Sequence, residues 1–150
     1  MNRHLMGNLL VALQFGLLFV LAALAARNVV HGNIPAGALM VAGISAALVT
    51  WALVHNRPGN FNISPAPKVR GVMVTTGPYR WIRHPMYTSV LMGAGALAWT
   101  SSTFIGWGTW SVLAIVLFMK STLEEHLMRK QHPEYAAYTL RSKRFLPWLF

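Results

Sequence analysis

The sequence lacks cysteine and aspartate, and it contains only three acidic residues, all of them glutamate. Without cysteine, the chain has no disulfides, no thiolate nucleophile and no cysteine-ligated zinc or iron–sulfur site. Without aspartate, it has no triad that depends on that residue. Its six histidines form neither an HExxH nor a Glu-x-x-His pattern, and the GxGxxG, P-loop and GxSxG motifs are also missing. The sequence therefore predicts no metal site.

Charge is scarce and apolar residues are abundant. Charged residues make up 11% of the 150 positions and hydrophobic residues 55%, and the mean hydropathy is +0.44. A helix needs about 20 apolar residues to cross a bilayer, within a range of about 17–25. Four segments approach this length, at about residues 5–26, 37–54, 85–100 and 103–123. We therefore expect an all-α integral membrane protein with about four transmembrane helices in a single membrane domain over residues 1–150.

The positive charge lies mainly on one side of this arrangement. The formal net charge is +10, and with four spans every lysine and arginine except Arg27 falls on the same side. This distribution follows the positive-inside rule and predicts cytoplasmic N- and C-termini, in a cell inner membrane or an endomembrane. It favours contact with anionic membrane lipids over binding of nucleic acid. The first apolar run is longer than that of a cleaved signal peptide, which favours a retained helix.

Two polar clusters flank the third and fourth apolar segments. Residues 77–87 combine arginines, a histidine and aromatic residues at the start of the third segment, where Pro85 suits a first helical turn. Glu124 and Glu125 lie at the end of the fourth. Because only a short turn at 101–102 joins the two helices, we expect an antiparallel hairpin that brings both clusters to one membrane face. A simpler interpretation is that the glutamates form structural ion pairs with Arg83, Lys120 or Arg129.

Other segments complete the expected topology. The long stretch 56–83 contains several helix-breaking prolines and is predicted to be an ordered, functional loop. Residues 134–144 predict a basic helix that lies on the lipid headgroups. Asn8 and Gln14, the amide side chains of the first span, are expected to form hydrogen bonds between helices.

The residues of these clusters resemble a known family. The sequence Val74-Thr75-Thr76-Gly77-Pro78-Tyr79-Arg80, then Arg83-His84-Pro85-Met86-Tyr87, Glu124-Glu125, and Glu134-Tyr135 through to Pro147, is similar to the isoprenylcysteine carboxyl methyltransferase and phospholipid methyltransferase family. The resemblance covers about residues 69–148. It implies an integral membrane enzyme that transfers a methyl group from S-adenosylmethionine to a lipophilic small molecule or lipid at the cytoplasmic face.

The resemblance also implies roles for individual residues. A cofactor-binding set would consist of Val72, Met73, Val74, Tyr79, His84, Pro85, Met86, Tyr87 and Glu124. The apolar run 72–74 and Tyr79 would line a slot for the adenine of the cofactor. His84 and the first turn of the helix that starts at Pro85 would face the cofactor's carboxylate. Glu124 would pair with the ammonium and Tyr87 would face the sulfonium. Arg83 and Glu125 would be the catalytic residues, and Lys120 would bind the acceptor.

Two positions depart from the family pattern. Ser89 replaces a frequent glycine, and Lys120 stands where the carboxyl methyltransferases have an arginine that holds the acceptor carboxylate. Lysine cannot form the bidentate contact that arginine offers, which weakens the case for a carboxylate as the acceptor and leaves an amine, a thiol or another lipid group open. Two other functions are considered: an NADPH-dependent membrane reductase of the sterol-reductase type, and a non-catalytic membrane protein with a degenerate site.

Overall fold

The computed structural model describes residues 3–56 and 72–147. These residues form five α-helices: α1 (Arg3–Val30), α2 (Ala36–His55), α3 (Pro85–Ser101), α4 (Phe104–Gln131) and α5 (Tyr135–Arg141), together with a short 3₁₀ turn at Gly77–Arg80. Within the described ranges the only β-type pairing is an isolated bridge between Ile82 and Lys143. The all-α prediction is confirmed. Residues 57–71, which include most of the predicted loop, lie outside the described part.

Three helices are long and apolar enough to cross a membrane, within Leu5–Val30, Ala36–His55 and Phe104–Gln131. The predicted integral membrane protein is therefore confirmed. Helix α3 has 17 residues, a length of about 26 Å at 1.5 Å per residue. It is the helix that contacts all of α1, α2 and α4. A crossing by α3, and hence the total of four spans, stays a prediction.

Helices α3 and α4 form the predicted hairpin. Ser102 adopts a left-handed conformation with φ 53° at the end of α3, and the Thr103 side chain then accepts a hydrogen bond of 3.0 Å from the Gly106 backbone N–H. This bond satisfies one of the free donors at the start of α4. The predicted turn residues 101–102 are thus one position early, because Ser101 still belongs to α3.

Small residues on α3 allow its neighbours to approach closely. A Cβ atom on Gly95 would lie 3.3 Å from Trp110 Nε1 of α4, whose indole N–H donates to the Leu91 carbonyl at 2.9 Å. Ala94 and Ala98 are buried with three leucines from α1 and α4, namely Leu21, Leu113 and Leu117. Because lipid tails are as apolar as leucine, such close packing is the main source of helix association in a bilayer.

The C-terminal region differs from the prediction. Helix α5 has seven residues rather than the eleven of 134–144, and two of its aromatic side chains, Tyr135 and Tyr138, are buried in the protein. The following residues fold back onto the segment before α3, where the Arg83 N–H donates to the Lys143 carbonyl at 2.7 Å and the Lys143 N–H donates to the Trp81 carbonyl at 2.8 Å. The helix is thus shorter than predicted and two of its tyrosines pack internally, while its position on the headgroups stays a prediction.

Candidate functional site

The two polar clusters meet where α3 begins. His84 Nε2 lies 3.1 Å from Glu125 Oε1, and the Tyr87 hydroxyl donates to Glu124 Oε2 at 2.7 Å. The expectation that the hairpin would bring the clusters together is confirmed. Because a two-residue turn joins the end of α3 to the start of α4, the two helices run antiparallel. The start of α3 therefore faces the last turns of α4.

Glu125 lies at the centre of a buried ion-pair cluster. Its side chain is 4% exposed, and it accepts from Arg83 Nε at 2.9 Å and from an Arg144 guanidinium nitrogen at 3.1 Å. Arg83 also donates to the Ser142 carbonyl. An ionised carboxylate only accepts hydrogen bonds, so the His84 Nε2 that faces it carries the hydrogen. The cluster joins the start of α3, helix α4 and the C-terminal segment.

This arrangement matches the simpler interpretation for Glu125 and Arg83, which pair with each other. The catalytic roles that the resemblance implied for them stay predictions. Arg144 and Ser142 were not predicted as part of this cluster, because a basic tail beside a membrane span is expected to contact headgroups. No spacing or motif in the sequence links residue 144 to residue 125.

Glu124 differs from its neighbour in being accessible. Its side chain is 33% exposed, and His84 Nδ1 lies 3.8 Å from the same oxygen that accepts from Tyr87. The rings of His84 and Tyr87 stack in parallel, with centroids 5.3 Å apart. Glu124 therefore presents a carboxylate at the protein surface beside two aromatic rings.

The first turn of α3, which contains Tyr87, also includes a backbone donor. Pro85 is the first residue of the helix and has no N–H, while the N–H groups of Tyr87 and Thr88 both donate to the His84 carbonyl. The N–H of Met86 is the group of this turn that a helix leaves without an intrahelical partner. Pro85 is buried and Met86 partly buried.

Lys120 is buried and points into the helix bundle. It is 2% exposed; its ammonium donates to Gln14 Oε1 of α1 at 2.8 Å and lies 5.2 Å from the centroid of the Tyr87 ring. The predicted interhelical hydrogen bond of Gln14 is thus confirmed, whereas Asn8 is exposed. The role of Lys120 in binding an acceptor stays a prediction.

Ser89 is accommodated within the helix bundle. It is 2% exposed, and its hydroxyl donates to the Met86 carbonyl at 2.8 Å. Its own carbonyl accepts from the Ser45 hydroxyl of α2 at 2.7 Å. The side chain that replaces the frequent glycine is therefore satisfied inside α3.

The loop before α3 is held by contacts on both sides. Gly77 has φ +59°, and a Cβ there would lie 2.4 Å from the His55 ring. The Tyr138 hydroxyl donates to the Tyr79 carbonyl at 2.5 Å. Burial, with the charge of Glu124 as a smaller cause, raises the pKa of Tyr79 to about 12, and burial raises the pKa of Tyr138 to about 12. Both phenols are therefore protonated at neutral pH.

The apolar run 72–74 has no regular secondary structure. Val72 is 50% exposed, and Met73 and Val74 are partly buried. The run is therefore only partly buried, and its role in an adenine slot stays a prediction.

The donor set fits the amino-acid part of S-adenosylmethionine. An accessible carboxylate suits an ammonium, a helix N-terminus suits a carboxylate, and an aromatic face suits a sulfonium. Glu124 and the first turn of α3 offer the first two groups. The Tyr87 ring stacks on His84 and has the Lys120 ammonium 5.2 Å from its centroid, so its role towards the sulfonium stays a prediction. Over residues 5–56 and 72–147, no group of three or more histidine and acidic side chains is arranged to hold a metal ion.

Comparison with known proteins identifies the family of the chain. Residues 33–135 match the family model described as phospholipid methyltransferase. The chain is also similar to the nickel-cobalt-cadmium resistance protein NccN of Alcaligenes xylosoxydans xylosoxydans, with 36% identity over 80 residues. That match covers 51% of this chain and 37% of the relative's length. The family model spans more than half of the sequence, and the chain belongs to the phospholipid methyltransferase family, a family of membrane methyltransferases.

Proposed function

We propose that the protein transfers a methyl group from S-adenosylmethionine to a lipophilic small molecule or a membrane lipid at the cytoplasmic face of the membrane. The observation that carries this proposal is the position of Glu124. It is an accessible carboxylate that the Tyr87 hydroxyl fixes at 2.7 Å beside the start of α3. Membership of the family supports methyl transfer as the reaction.

The cofactor would supply a methyl group made electrophilic by the adjacent sulfonium. Glu124 would bind its ammonium, and the Met86 N–H at the start of α3 would bind its carboxylate. Tyr87 would hold Glu124 in place through its hydroxyl, because its ring already stacks on His84 and receives the Lys120 ammonium. Direct transfer to a nucleophile depends chiefly on holding the two reactants in line. The protein's contribution would therefore be orientation and the exclusion of water, rather than acid–base chemistry.

The acceptor would reach the site from the bilayer. Helices α1, α2 and α4 expose large apolar side chains, among them Phe19, Ile44 and Ile115, as expected for surfaces in contact with lipid. A lipophilic acceptor would be concentrated in that phase, while the cofactor would enter from the aqueous side. Cytoplasmic termini, which the charge distribution favours, would place the site on the side where S-adenosylmethionine is made.

The proposal is tested by calorimetric titration of the purified protein in detergent with S-adenosylmethionine. We expect binding, and we expect Glu124→Gln to weaken it by about tenfold or more, because a charge-assisted contact is lost. Glu134→Gln is the matched control, since Glu134 lies near the surface and pairs with His132. Labelled methyl groups would then be followed into lipid and small-molecule pools to identify the acceptor. Binding of NADPH in place of S-adenosylmethionine would reject the proposal in favour of a reductase.

A further inference from the structure

Lys120 and Gln14 form a buried polar pair that the proposed reaction does not yet use. They come from α4 and α1, are 106 positions apart and are joined by a hydrogen bond of 2.8 Å. Both are buried, at 2% and 7% exposure. Gln14 lies outside residues 33–135, the part that matches the family model, so the family match assigns it no role.

An ammonium group buried in a membrane protein requires a reason. Desolvation of a charge is costly, and an apolar pair would join α1 to α4 as well or better. Ionisable side chains within membrane segments generally mark functional sites and face the bundle interior. The ammonium of Lys120 has two partners that offset its burial, the Gln14 amide oxygen and the π face of Tyr87.

Tyr87 connects the Lys120–Gln14 pair to the candidate cofactor site. The Tyr87 ring that receives the Lys120 ammonium carries the hydroxyl that donates to Glu124. A cation at the ring face draws electron density from the phenol and makes its O–H a stronger donor, and linked polar contacts reinforce one another. The pair also limits the directions in which the ring can turn, because Tyr87 lies between Lys120 and Glu124.

We infer that Gln14 and Lys120 are positioning residues for the cofactor-binding carboxylate: Gln14 fixes Lys120, Lys120 fixes the Tyr87 ring, and Tyr87 fixes Glu124. The inference rests on the proposed function, since it assigns Glu124 to the ammonium of S-adenosylmethionine. Lys120 then acts through its neighbours and does not itself touch the methyl acceptor.

Two ligands separate this role from general support of the fold. S-adenosylhomocysteine carries the amino-acid part, whereas 5′-methylthioadenosine has the same adenosine and a thioether without it. We expect Lys120→Met, which keeps a similar length without the charge, to weaken S-adenosylhomocysteine binding by about tenfold and to leave 5′-methylthioadenosine binding unchanged. An equal loss for both ligands, or no loss for either, would overturn the inference.

A double-mutant cycle tests the route through Tyr87. In a Tyr87→Phe background, which lacks the hydroxyl, Lys120→Met should cause little further loss of S-adenosylhomocysteine affinity. A full additional loss would overturn the inference. Gln14→Leu provides a second variant that keeps the lysine, and it should show the same selective effect. Val116→Ala, at a buried position on α4 in an apolar cluster that does not include Tyr87, is the control and should not distinguish the two ligands. If the wild-type protein bound neither ligand, the proposed function itself would fail.

Discussion

Arg83 and Glu125 are 42 positions apart, yet the Arg83 Nε donates to the Glu125 carboxylate at 2.9 Å. Arg144 and His84 approach the same carboxylate at 3.1 Å each. One buried acidic side chain thus joins three segments of the chain. Its neighbour Glu124 is more accessible, at 33% exposure against 4%, so we propose separate tasks: Glu125 holds the structure, and Glu124 binds the ligand.

Glu125→Gln is expected to lower stability much more than Glu124→Gln. Removing one partner of a buried ion pair leaves the opposing charges uncompensated and typically costs about 3 kcal/mol or more. Thermal unfolding in detergent, followed by circular dichroism, measures the difference. Equal midpoints for the two variants would contradict the division of tasks.

Arg144→Ala is expected to release the C-terminal segment. Besides its contact with Glu125, the Arg144 guanidinium donates to Thr122 at 3.0 Å and lies 4.9 Å from the centroid of the Phe118 ring. Limited proteolysis with mass spectrometry should show faster cleavage after α5. Lys143→Ala is the matched control, because the side chain of Lys143 is exposed and the backbone of this residue makes the bridge. Equal cleavage of both variants would show that the Arg144 side chain does not hold the C-terminal segment in place.

Gly77→Ala is expected to weaken cofactor binding by disturbing Tyr79. The new Cβ would overlap the His55 ring, and the positive φ would be strained as well. His55→Ala in the same chain should restore binding only in part, since it removes the overlap but not the strain. Gly16→Ala is the control, because a Cβ there would meet nothing within 4 Å. Calorimetric titration measures all three.

Stability is expected to fall in alkaline solution as Tyr79 and Tyr138 ionise. Their pKa values of about 12 in the folded protein lie above the ordinary value of 10.0. The stabilisation is therefore fully present below pH 10, and it is lost as pH rises through the interval from about 10 to about 12. Tyrosinate absorbance should show this late titration, and Tyr138→Phe should remove one late-titrating group. Titration of all tyrosines near pH 10 would contradict the prediction.

The sequence was sufficient to predict the meeting of residues 83–87 with Glu124 and Glu125. Two apolar helices, a short turn and polar residues at both far ends determine that geometry. It was not sufficient to predict the partner of Lys120, because the contact with Gln14 depends on how α1 packs against α4. The bridge between Ile82 and Lys143 could not be predicted either, since a single residue pair produces no periodic pattern in the sequence.

The bridge has a consequence for biosynthesis. Residues 142–145 are translated after all five helices, and they supply the carbonyl groups of Ser142, Lys143 and Arg144 that accept from Arg83 and His84. A nascent chain that has not yet reached them contains α1 to α4 but cannot complete the Glu125 cluster. This cluster therefore cannot form before residues 142–145 have been translated, and chains truncated before this segment are expected to lack it.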